Sequence, residues 1–231
     1  MSKSSSGERG IIAAAPLAPS SPAALSLAAL IALIAWLAFG AQVDITVTRL
    51  LDRGMTIGDG LARLTSYLTN LTIFATAVCF SCIALRARSG LGHTLRRPPV
   101  VTAIVLYVVF VGLAYNLLLR YLWTPSGYRL FLNEALHTVV PLLAAIYWLG
   151  FVPRFHLTVR QCLLWLLFPL LYLGVTLWRG SRSDFYPYPF INVAELGYSH
   201  VLRNAGLLAL GFVLLIGIFA VLNHLRKEVT T

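Results

Sequence analysis

Six stretches without a single Asp, Glu, Lys or Arg dominate the chain: Arg9 to Asp44, Arg63 to Arg86, Arg97 to Arg120, Glu134 to Arg154, Arg160 to Arg179 and Arg203 to Arg226. A hydrocarbon layer of ~30 Å takes about 20 apolar residues in a helix. A charge inside that layer costs roughly 2.5 kcal/mol or more even on lenient insertion scales, so gaps this clean mark membrane spans. The pattern predicts an all-α, polytopic membrane protein, a bundle of six transmembrane helices at about 23–43, 65–85, 99–121, 133–151, 159–178 and 201–223. Residues 1–22, rich in Ser, Ala and Pro without a period, read as a disordered cytoplasmic tail; 23–224 form the membrane domain and 225–231 a second cytoplasmic tail.

Smaller features refine this pattern. The apolar run from Ala23 to Val43 is longer than the core of a signal peptide, so the first span reads as an uncleaved helix. Pro141 and Pro169 fall inside spans, which membrane helices tolerate when a neighbour satisfies the freed carbonyl. The polar segment 44–64 has two readings. One is a short interfacial helix with Ile45, Val47, Leu50, Leu51, Met55 and Ile57 on one face; the other is a mostly irregular loop broken by Gly54, Gly58 and Gly60.

The apolar fraction of 58% and mean hydropathy of +0.80 suit a chain whose exterior solvent is lipid. The net charge of +10 would indicate nucleic acid in a soluble protein, but here basic residues gather at helix ends, so no nucleic-acid partner is expected. The basic loops 86–98 and 152–158 put both termini in the cytoplasm, and the excess of Arg over Lys hints at a bacterial inner (plasma) membrane. Cys79 and Cys82, four positions from first to last inside an apolar helix, read as packing rather than redox chemistry. No cofactor or metal motif is present: there is no H-E-x-x-H, no G-x-S-x-G and no phosphate-cradling loop.

Polar residues within the spans are arranged. Thr65, Thr69, Thr72 and Thr76 recur on one face of the second span, flanked by Tyr67 and Asn70. In the fourth span Asn133 and His137 are one turn apart, with Thr138 beside them. Both spans run inward, so Thr69 and His137 lie at equal depth, roughly 6 Å below the outer boundary. A threonine hydroxyl becomes a nucleophile when a base removes its proton, and neutral histidine is the usual base near pH 7. Asn70, Asn116 and Asn133 lie at a similar level as candidate oxyanion donors. The structural alternative is that the threonines bond the preceding turn and pack as small residues. Outside the spans, Tyr188-Pro189-Phe190 in the loop 179–200 reads either as an aromatic interface anchor or as a rigid lid and substrate-binding element on the same side.

Together these motifs resemble a known family. Tyr67-Leu68-Thr69, Asn133 with His137-Thr138, and Tyr188-Pro189-Phe190 followed by Gly197 resemble the Tyr-Leu-Thr, Asn…His-Thr and Tyr-Pro-Phe…Gly of the androgen-induced and androgen-dependent membrane threonine hydrolases. They also resemble bacterial six-span proteins of unassigned function that share the Tyr-Pro-Tyr-Pro-Phe loop. The chain departs from the family at Thr72, where an asparagine is expected. The resemblance implies that Thr69 is the nucleophile, His137 the base and a fatty-acyl ester in the membrane the substrate. The rival readings are a small transporter or lipid-binding protein with a polar cavity around His137, and a structural membrane subunit.

Overall fold

The computed structural model of the protein describes residues 15–19, 21–122 and 124–226. Helix α1 (Pro22–Leu51) starts where Ser21 accepts a hydrogen bond from the N–H of Ala24 and proline occupies the first helical position. Its buried face is built of Ala24, Ala28, Ala32, Ala35 and Ala38 with Ile31. These short side chains let α3 (Leu68–Ala84) and α7 (Val140–Phe151) pack closely on it. Among the described residues every regular element is helical.

Five helical stretches are long and apolar enough to cross a membrane: α1; α5 (Pro98–Ala114) continued by a π-helical turn at Tyr115–Leu119 and a 3-10 turn to Leu122; α6 (Tyr128–Glu134) running through a second π-helical turn at Ala135–Val139 into α7; α8 (Val159–Ser183); and α9 (Val193–Leu225). The sixth candidate is broken. A short α2 (Ile57–Leu64) meets α3 at a bend of 85°. A short helix α4 (Gly90–Leu95) joins α3 to α5.

Several boundaries differ from the expected spans. The second begins at Leu68 rather than 65, because the chain bends at Thr65–Tyr67; Thr65 therefore ends α2 and does not share the threonine face of α3. Segment 44–64 is neither alternative in full: α1 continues through Asp44 to Leu51, and α2 is a separate helix closed by a capping box between Thr56 and Asp59. The expected loop 179–200 contracts to 184–192, since α8 runs to Ser183 and α9 starts at Val193. Gly197, at φ 73° and ψ 161°, kinks α9 near its start in a conformation open to glycine alone. Residues 15–19 of the expected tail pack against the bundle: Leu17 is buried, its N–H bonds the Arg96 carbonyl at 2.7 Å and its carbonyl accepts from the Arg96 guanidinium. Residues 1–14, like 227–231 of the expected C-terminal tail, lie outside the described residues.

Both internal prolines are accommodated by side chains. Pro141 cannot donate to the carbonyl of His137, four residues earlier, and the Asn116 amide donates to it instead at 3.0 Å. Pro169 likewise frees the carbonyl of Trp165, which accepts from the Tyr107 hydroxyl at 2.9 Å. Phe80, Ile83, Val101, Val105, Tyr147 and Trp148 fill the end of the bundle near α4, each at most 1% exposed. The other end is looser. Only 11% of the apolar window of α8 is buried, and a cavity of about 540 Å³ opens between α8, α9 and the rest.

Candidate active site

The bend before α3 creates the site. Its freed carbonyls are met by side chains: Leu64 by the Asn70 amide at 2.9 Å, Ser66 by the Tyr172 hydroxyl at 2.8 Å, and Ala62 by Arg179 at 2.6 Å. The chain then turns into α3 with Tyr67 as an extended residue, placing Thr69 in the first helical turn. The first main-chain bond of that turn is donated by Asn70 to Tyr67, so the N–H groups of Leu68 and Thr69 precede the hydrogen-bond ladder.

Opposite Thr69, the π-helical turn Ala135–Val139 carries His137. Its Nε2 lies 3.4 Å from Thr69 Oγ1, and its Nδ1 is 3.0 Å from the Asn133 carbonyl oxygen. A carbonyl only accepts, so Nδ1 must carry the proton in that bond and the Nε2 lone pair faces the threonine. The contact sits at the long end of a hydrogen bond, as is common where catalytic pairs tighten only around substrate. The Tyr115 ring stacks on the imidazole with centroids 3.8 Å apart and planes 18° from parallel. Tyr115 belongs to the other π-helical turn, and such turns recur at functional sites.

The three asparagines have different fates. Asn116 is committed: its amide donates to the carbonyls of Gly112 and His137, and its oxygen accepts from Arg120. Asn70 is committed to the bend. Neither is left to meet an oxyanion. Asn133 lines the cavity, and among the described residues its carboxamide makes no protein hydrogen bond. Thr72 and Thr76 bond the carbonyls of Thr69 and Thr72 within their own helix, the structural role weighed for them from sequence. Behind the histidine, Glu134 accepts from Arg120 and, at 2.8 Å, from Thr138, which ties the two π-helical turns together.

The segment 184–192 covers the cavity. Tyr188, Pro189 and Phe190 all line it, with Tyr188 and Phe190 stacked at 5.2 Å and Tyr188 edge-on to Tyr67 at 5.9 Å. Arg63 lies 3.4 Å above the Phe185 ring, and the Asn204 amide bonds the Phe190 carbonyl at 3.0 Å. Burial pushes the Tyr188 phenol above its ordinary pKa, opposed by the Thr69 hydroxyl and by the main chain of Thr69 and Leu68, which adjoin it. Those two N–H groups, at the start of a 17-residue helix, thus face the Tyr188 hydroxyl beside the threonine. Sequence reading missed them and Tyr115. The backbone donors become visible only once the bend is known, and Tyr115 carries no signal beyond its place beside Asn116. Among the described residues no three His, Cys, Asp or Glu side chains converge as a metal would require. Comparisons with protein-family models, curated proteins and solved structures return no match for this chain.

Proposed function

We propose that the chain is a six-span membrane hydrolase of fatty-acyl esters, with both termini cytoplasmic and its site just beneath the outer membrane surface. The observation that carries this reading is the Thr69–His137 contact, with the imidazole held so that its unprotonated nitrogen faces the hydroxyl. In the proposed reaction Thr69 Oγ1 attacks the ester carbonyl while His137 Nε2 takes the hydroxyl proton. The oxyanion takes the place of the Tyr188 hydroxyl at the N–H groups of Leu68 and Thr69, with Asn133 within the same cavity. Collapse expels the alcohol, which receives the proton from His137, and leaves an acyl-threonine. Water, deprotonated by the same nitrogen, then releases the fatty acid and restores the threonine. The resemblance of Tyr67-Leu68-Thr69, Asn133…His137-Thr138 and Tyr188-Pro189-Phe190 to the membrane threonine hydrolases supports the same assignment.

The transporter reading is opposed by the shape of the cavity. Phe110, Leu166 and Phe212 line its inner part, and no residue of α4 or α7 lines it. Beyond lies the close-packed layer around Tyr147 and Trp148. The test is labelling by a fluorophosphonate probe together with turnover of a fluorogenic fatty ester by purified protein. Both are expected in the wild type and absent in Thr69→Ala; labelling that survives in Thr69→Ala refutes the nucleophile.

A further inference from the structure

The cavity that holds Thr69 and His137 is electrically one-sided. Arg49, in the last turn of α1, and Arg129, in the first turn of α6, both line it, and no Asp or Glu does. The two helices pack against each other, so the guanidiniums rise from neighbouring walls at the end of the bundle where α3 begins. Among the described residues neither guanidinium makes a hydrogen bond or an ion pair; the ion pair present is Arg120–Glu134. Away from this rim the lining is apolar, with Phe110, Leu136, Leu166 and Phe212 among it. Arg129 precedes His137 by eight positions, about 12 Å of helical rise, a separation that a flexible arginine side chain shortens.

Resting on the hydrolase reading, we infer that this pair is an anion site selecting the substrate: a lipid ester with one phosphodiester headgroup held between Arg49 and Arg129, its acyl chains in the apolar cavity and an ester carbonyl at Thr69. Arginine suits the role because its fixed fork of donors matches phosphate oxygens and it keeps its charge at any working pH. Two forks from adjoining walls fit a tetrahedral anion with oxygens on several sides. A neutral glyceride would leave both guanidiniums without a counter-charge.

The test is binding, measured in the Thr69→Ala protein so that turnover does not enter. Native mass spectrometry of protein in detergent would compare dioleoyl phosphatidylglycerol, dioleoylglycerol and a fatty ester bearing a free carboxylate. Charge-assisted hydrogen bonds of this kind lead us to expect the phosphodiester lipid to be favoured over the glyceride by about tenfold to a hundredfold. Arg49→Gln and Arg129→Gln should each lower that ratio, and the double variant should bring it near unity. Arg53→Gln, exposed as Arg49 and Arg129 also are but not lining the cavity, should leave it intact. Preference for the carboxylate over the phosphodiester would keep the anion site but overturn the headgroup. Equal retention of all three lipids, or a preference lost equally in Arg53→Gln, would overturn the site. A wild-type protein that shows the preference but cleaves no ester sinks the hydrolase reading alone; one that cleaves neutral esters and binds all three lipids alike sinks this inference alone.

Discussion

Gly112 of α5 faces the carbonyl of His137 and the ring of Pro141. A methyl group placed on it would lie 2.8 Å from that oxygen and 2.9 Å from Pro141 Cγ, about 0.6 Å short of ordinary contact at 3.4 Å for the nearer. Neither neighbour yields easily. The oxygen is main chain and already bonded to Asn116, and the other is a proline ring. Gly112→Ala must therefore push the π-helical turn bearing His137 away from α5. Overpacking of this kind costs about 1–3 kcal/mol, against a gain of up to about 1 kcal/mol from alanine's higher helix propensity, so net destabilisation is expected. The displacement also reaches the 3.4 Å contact with Thr69, which has no slack. Misplacement of reacting groups by about 1 Å costs on the order of a hundredfold, so a shift of roughly half that should lower turnover about tenfold. The assay is thermal melting in detergent alongside turnover of a fluorogenic fatty ester. Gly206→Ala is the control, since its site on α9 is open, with nothing within 4 Å, and alanine there should be neutral or stabilising. Equal melting and activity in the two variants would refute the argument that this close approach sets the histidine's position.

Other perturbations test separate parts of the account. His137→Ala should cut ester turnover by about 10² to 10⁴ by removing the base, and activity within tenfold of wild type would rule out that role. Asn116→Leu strands the His137 carbonyl that Pro141 already deprives of a donor, and should lower stability by about 1–3 kcal/mol, read from the melting midpoint. Arg63→Ala removes the cation over Phe185, worth about 0.5–1 kcal/mol at a half-exposed site, and should speed proteolytic nicking within 184–192. Asp59 is held below its ordinary pKa by hydrogen bonds from the Thr56 side chain and main chain. A depressed carboxylate stabilises above its unfolded pKa, and the effect fades as pH falls through the folded value; Asp59→Asn should therefore lower the melting midpoint slightly at neutral pH and converge with the wild type below about pH 4.

The six charge-free gaps were a sound guide to the helices but a poor guide to their ends. A charge gap measures the thickness of hydrocarbon, whereas a helix continues for as long as its backbone bonds are satisfied. So α1 runs on through Asp44 and Arg49, and α9 begins before Glu195 and Arg203, all outside the charge-free stretches. The break before α3 was hidden for a different reason. No Pro or Gly marks Ser66 or Tyr67; the bend is held by Asn70, Tyr172 and Arg179, two of them more than a hundred positions away.

Thr69 and His137 were legible because polar side chains inside a span are few, and an equal distance from the start of two spans expected to run the same way is a testable juxtaposition. The engagement of Asn70 and Asn116 was not, because depth says nothing of what an amide is already bonded to. Asn116 shows how much was within reach. Pro141 deprives one specific carbonyl, that of His137, and in a bilayer some side chain has to answer it. The residue that does so sits on the helix that Gly112 allows to come close. Proline, asparagine and glycine thus act as one device fixing the imidazole, and none of the three touches the hydroxyl it serves. The donors beside Thr69 follow the same logic from the other wall, since a helix that starts abruptly leaves its first N–H groups outside its own ladder, here facing Tyr188. What distinguishes the site is therefore less a set of polar side chains than two interruptions of regular helix, the bend before α3 and the π-helical turn before α7, facing each other at one depth.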